Sequence, residues 1–229
     1  MREIIAPLPR SDGVACFTRL YAEVTEGVRA DLAGVVFHDP RFLEHLDTAF
    51  ADLFFAAFAG SMRDPHTTPA AWLPLFEARS RYGIAPLQFA LAGMNAHINR
   101  DLPLALVHTC NELSIGLDEG SPQHGDFERV NGVLAKVEAR VKREYLTGWA
   151  RAVDRILHRA NRLDDVVAMW NVARARDAAW ANAEALWALR DDGGLTARYL
   201  AALDRMVGFA GRGLLVPAES WAARLARRL

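Results

Sequence analysis

Apolar residues recur along nearly the whole chain at intervals of three and four. No segment shows the convincing apolar–polar alternation that a half-buried strand requires. Leu43, Leu46, Phe50, Leu53 and Ala57 set one stripe, and Phe127, Val130, Leu134, Val137 and Val141 set another. A helix striped in this way has to bury that face against other helices, so the pattern confines the chain to an all-α fold. Capping and breaking residues divide the pattern into elements. Ser11 or Asp12 caps a first helix reaching about Val36, Asp39-Pro40 opens a second running to Gly60, and Pro69 opens a short one to about Arg81. A helix from Pro86 to about Asn99 breaks near Pro103 and is followed by Leu104 to Leu117. Later helices are expected around Phe127, up to Ala160, from Leu163 to Leu189 and from Thr196 to Gly211. Residues 1–10 read as a tail and 217–229 as an amphipathic helix with Trp221 and Leu225. With short loops and no repeat, 1–229 is expected to form a single-domain multi-helix bundle around a buried central helix at 86–101.

Charge and composition exclude several classes. With 27 basic and 28 acidic residues the net charge is −1, without the basic excess of a general nucleic-acid binder. Cys16 and Cys110 are too few for a disulfide framework and are expected to be reduced and buried. Met1 to Arg10 lacks the continuous apolar region of a secretory signal. Ile84 to Ile98 is interrupted by Pro86, Gln88, Asn95 and His97 and is short of the roughly 20 residues of a membrane span. A cytoplasmic protein is therefore expected.

The informative residues are polar ones on buried stripes. At about 100° per residue, Leu87, Leu91, Met94 and Ile98 share one sector, with Asp101 at its edge and His97 just beyond. Asn95 and Asn99 flank the opposite edge, and Ala90, Ala92, Gly93 and Ala96 complete a helix that is apolar almost all round. Polar groups buried there without partners cost about 1–3 kcal/mol each, so each is expected to be hydrogen-bonded or ligated. His97 and Asp101, four residues apart, lie on one face. Such a pair suits two chemistries: a shared divalent metal, or a carboxylate that orients the imidazole for proton transfer. A purely structural pair, with Asp101 capping the next helix, is the competing expectation. Asp47, between Leu43, Phe50 and Phe54, is expected to face inward, and His45 to lie on the surface. Val166, Trp170, Ala173, Asp177, Trp180, Glu184 and Trp187 step by four and three like a buried seam, placing Asp177 inside with Arg176 beside it. Asn131 interrupts the stripe between Phe127 and Leu134. No Walker, Rossmann or Gly-x-Ser-x-Gly motif occurs, so neither a nucleotide nor a flavin cofactor is expected.

His108 and Glu112 repeat the four-residue spacing. Together with His97 and Asp101 they resemble the pairs of the all-helical zinc-dependent phospholipase C and nuclease group. The intervening spacings differ, and the processed N-terminal tryptophan ligand of that group is missing. A broader likeness rests on Pro86-Leu87-Gln88, the segment from Gly93 to Leu102, Asp126-Phe127 with Asn131, and Ala175 to Trp180. With these, the chain resembles a bacterial family catalogued only as a domain of unknown function, marked by Asn-Ala-His-Ile-Asn-x-Asp-Leu and similar from about Thr18 to Val207. The resemblance implies an all-helical fold and one cluster of Asp47, Asn95, His97, Asn99, Asp101, Asp126, Asn131, Arg176 and Asp177. It implies no activity or cofactor.

The leading expectation is a small-molecule enzyme without an organic cofactor, hydrolysing its substrate or acting as a lyase or cyclase. His97 would be base or metal ligand, Asp101, Asp47 and Asp177 the accompanying carboxylates, and Asn95, Asn99, Asn131 and Arg176 the substrate-binding groups. A divalent metal on His97 and Asp101 is the metal expectation. Two rivals are a non-catalytic ligand- or partner-binding bundle and a zinc-dependent phosphoester or lipid hydrolase. One geometric constraint stands: on an ideal helix His97 and Asn95 point oppositely. They share a pocket only if the helix is distorted before Pro103.

Overall fold

The computed structural model describes residues 1–153 and 171–217, and every described regular element is helical. In chain order these are α1 (Arg2–Ile5), α2 (Gly13–Asp31), α3 (Pro40–Arg63), α4 (Leu73–Ala78) and α5 (Pro86–Ala96), then a π-helical turn (His97–Asp101). There follow α6 (Leu102–Leu113), α7 (Pro122–Val153), α8 (Val172–Ala188) and α9 (Gly193–Leu214). The expected C-terminal helix and the seam residues Val166 and Trp170 lie outside the described residues. The expected tail at 1–10 instead contains the short helix α1.

The caps are those the sequence advertises. Asp12 accepts from the backbone N–H groups of Val14 and Ala15, and Asp39 from that of Phe42 with Pro40 following it. Helix α5 is the central element. Phe89 to Met94 and Ala96 are all buried on it. Helix α2 packs on one side of α5 and α9 on another, while α6 lies between α3 and α8. Cys16 and Cys110 are free and buried, as expected. No helix of the described residues is long and apolar enough to cross a membrane.

The break near Pro103 takes a specific form. Proline has no N–H to donate to the carbonyl of Asn99, and its ring would collide with that carbonyl in a regular α-helix. The chain widens into a π turn instead, where the Leu102 N–H reaches back five residues to the carbonyl of His97. The helix axis therefore continues into α6 while the side chains of His97 and Asp101 are rotated relative to those of α5.

Close approach of α2 to α5 depends on Gly93. A methyl group at this position would land inside the ring of Phe17, which is fully buried and has nowhere to move. Alanine is the better helix former by about 1 kcal/mol, yet overpacking a closed core costs about 1–3 kcal/mol. Gly93→Ala is accordingly expected to lower the stability measured by urea denaturation. An unchanged or raised midpoint would show that α2 yields at this contact.

Candidate functional site

His97 and Asp101 are completely buried. Asp101 Oδ2 accepts hydrogen bonds from the Trp72 indole Nε1–H at 3.1 Å and from His97 Nδ1, also at 3.1 Å. Asp101 Oδ1 accepts from Arg100 Nη1 at 2.8 Å. Both carboxylate oxygens are thus engaged by donors from the N-cap of α4 and the π turn. Because a carboxylate only accepts here, the neutral imidazole carries its proton on Nδ1 and presents a lone pair at Nε2. That Nε2 has no hydrogen-bond partner.

Aromatic rings surround the imidazole. Phe50 from α3 stacks on it at 3.6 Å with an interplanar angle of 6°, and Tyr21 from α2 meets it edge-on at 4.6 Å. Burial in this apolar setting disfavours the imidazolium and lowers the His97 pKa, outweighing the hydrogen bond and charge of Asp101, which act to raise it. Tyr21 is shifted the other way: burial, then the charges of Asp47 and Asp101, keep its phenol protonated.

His97, Phe50 and Tyr21 adjoin a cavity of about 430 Å³ lined mainly by α2, the α2–α3 loop, α3, the π turn, α7 and α8. Its walls are mostly apolar, with Val28, Leu43, Met94 and Ile98 among them, and His97, Asp47 and Arg176 also line it. Asp47 is solvent-exposed at the cavity rim, where partial burial raises its carboxyl pKa against the lowering charges of Arg29 and His97.

The remaining expected site residues divide among three other places. Asn95 donates to the Val207 carbonyl at 2.9 Å and accepts from Asn99 at 3.2 Å, so Asn95 serves the α5–α9 contact, Asn99 bonds to Asn95, and neither lines the cavity. Asn131 accepts from Arg176 Nε and donates to Asp177 Oδ1 at 3.2 Å. Asp126 is buried and accepts from the backbone N–H groups of His38 and Asp39 at 3.1 and 2.7 Å, fixing the loop that forms one lip of the cavity. Burial raises its carboxyl pKa, but these bonds and the His38 side chain outweigh that, leaving it below its ordinary value. The single nine-residue cluster implied by the resemblance is therefore not assembled.

The seam on α8 also differs from expectation. Its buried positions are Val172, Arg176, Ala179, Trp180, Ala183 and Leu186, so Arg176 faces inward while Asp177 is exposed. Packing against Phe127 selects the arginine, whose guanidinium lies 3.9 Å over that ring. Nothing in the sequence marks Trp72, Phe50 or Tyr21 as site residues, since aromatic residues at helical spacing read as ordinary core.

Among the described residues no group of three or more His, Cys, Asp or Glu could hold a metal ion. At the expected pair, His97 Nδ1 is bonded to Asp101 Oδ2, and Trp72 and Arg100 also donate to the carboxylate, so the two side chains are turned to one another rather than to a shared ion. His108 and Glu112 lie exposed on α6, where Glu112 pairs with His108 at 3.3 Å and with His45 at 3.4 Å, away from the buried pair.

The pKa lowering at His97 makes stability pH-dependent. Its folded pKa lies below the unfolded value of about 6.5, so the unfolded chain binds the proton first as pH falls. Stability present above that value is then lost by up to about 1.4 kcal/mol per pH unit. His97→Gln removes the imidazole and keeps Asp126, so the comparison reports the imidazole together with the charge it exerts on Asp47. Between about pH 7.5 and 5.5, wild type is expected to lose more denaturation free energy than His97→Gln. Equal losses would mean the imidazole is not held neutral by burial.

A family model described as "Family of unknown function (DUF5995)" matches residues 1–217. No curated protein and no solved structure matches the chain.

Proposed function

We propose that this chain, which belongs to the DUF5995 family of unknown function, is a small-molecule enzyme that works without an organic cofactor, with His97 as general base in the α2–α3 cavity. The observation that carries the reading is the Asp101–His97 pair: Nδ1 is held by a buried carboxylate, and Nε2 is left unpartnered where the imidazole adjoins the cavity. In this reading Nε2 takes a proton from the substrate, and Asp101 stabilises the resulting imidazolium. The proton then returns to the leaving group in hydrolysis, elimination or cyclisation. A base is most effective when it is unprotonated at the working pH, and burial favours the unprotonated imidazole. Asp47 at the rim and the protonated phenol of Tyr21 supply further polar contacts to a bound molecule.

One observation favours a second reading, a non-catalytic ligand-binding bundle. Phe50 lies flat on the imidazole and shields it, as in a packed core. The metal-dependent alternatives have less support, because Asp101 is bonded to His97 itself and to Trp72 and Arg100, and no group of three or more His, Cys, Asp or Glu among the described residues could hold an ion.

The two readings separate in one experiment. A small-molecule cell extract is incubated with the full chain or with His97→Gln, and the metabolites are profiled by mass spectrometry. A compound consumed by wild type, with the rate falling roughly 100-fold or more in the variant, is the expected result. No wild-type-dependent turnover, or turnover unaffected by the substitution, would reject His97 as the base.

A further inference from the structure

Arg176 is the unusual charge in this cavity. It lines the wall with 7% of its surface exposed, whereas the other charged groups there, Arg29, Glu44 and Asp47, are exposed. Its Nε donates to Asn131 Oδ1 and its Nη2 to the Phe127 carbonyl at 3.3 Å, and both partners are neutral. Nη1 makes no hydrogen bond among the described residues. Nor does any carboxylate of the described residues lie within ion-pairing distance of the guanidinium. Asp177, its chain neighbour, is exposed and is bonded to Asn131 instead. Burial pulls the Arg176 pKa down to about 9, against the opposing charge of Asp177. A cation removed from water and left with neutral acceptors is costly, and a carboxylate offers the planar two-point partner that this guanidinium lacks among the described residues.

We propose that the cavity binds a small amphiphilic monocarboxylate, with its carboxylate on Arg176 and its apolar body against Val28, Leu43, Phe50 and Ile98. The inference rests on the reading of this cavity as the substrate site and names the substrate class. Asn131 and the Phe127 ring are positioning groups that hold the guanidinium in place. Arg176 is the group that touches the ligand.

Isothermal titration of the full wild-type chain with octanoate, octan-1-ol and octylammonium reads the charge preference without altering the fold. Octanoate is expected to bind, octan-1-ol at least about tenfold more weakly, and octylammonium not detectably. Arg176→Gln is expected to erase the difference between octanoate and octan-1-ol. Equal affinities, preference for the ammonium, no octanoate binding, or a preference that survives in a folded Arg176→Gln would each overturn the assignment. If Arg176→Gln does not fold, the wild-type series decides alone. Failure here leaves His97-dependent turnover standing, and octanoate binding without any turnover would reject only the catalytic reading.

Discussion

A carboxylate sealed from bulk solvent is the constraint on which the centre of this molecule is organised. Asp101 is completely buried, and a charge in that position is tolerated only if donors surround it. The donors come from separate parts of the chain: the indole of Trp72 just before α4, and the imidazole and guanidinium of the π turn. Arg100 extends the network, since its Nε lies 3.5 Å from Asp204 on α9. Asp204 in turn accepts from the backbone N–H groups of Ala70 and Ala71. Removing one member would leave another charge or donor unsatisfied in a dry interior, so these segments are coupled through electrostatics as well as packing.

The π turn lets one helix serve two neighbours. Before it, Asn95 faces α9 and hydrogen-bonds to its backbone; within it, His97 is turned toward α2 and α3, and Asp101 toward Trp72. The distortion that a shared Asn95–His97 pocket would require does occur, yet it does not bring the two together. What it supplies is an imidazole wedged between Phe50 and Tyr21, with one nitrogen anchored and the other unpartnered.

The same economy governs the rest of the cavity. Asp126 never reaches it, but by gathering the N–H groups of His38 and Asp39 it holds the loop carrying Phe37, one of the lining residues. Arg176 reaches it because its guanidinium packs on Phe127, while Asp177, one step further around α8, turns to solvent. Reading the seam from spacing alone chose the wrong member of that pair. Two adjacent charged residues both sit at the margin of an apolar stripe, and only the available partner, an aromatic face or water, distinguishes them.

The all-helical class, the cap at Asp39 and one at Ser11 or Asp12, the buried helix beginning at Pro86 and the disruption ahead of Pro103 were all determined by the sequence itself. They follow from local physics: the 3.6-residue period, the N–H groups a cap satisfies, and the ring of a proline. The pairing of His97 with Asp101 was legible for the same reason, being one turn of one helix. Tertiary structure alone decided that Trp72 completes that pair, that Asn95 faces α9, and that Arg176 rather than Asp177 lines the cavity. Those outcomes depend on which surfaces meet across separations of tens of residues. No local spacing encodes that, because a side chain's partner is fixed by where the other helices lie.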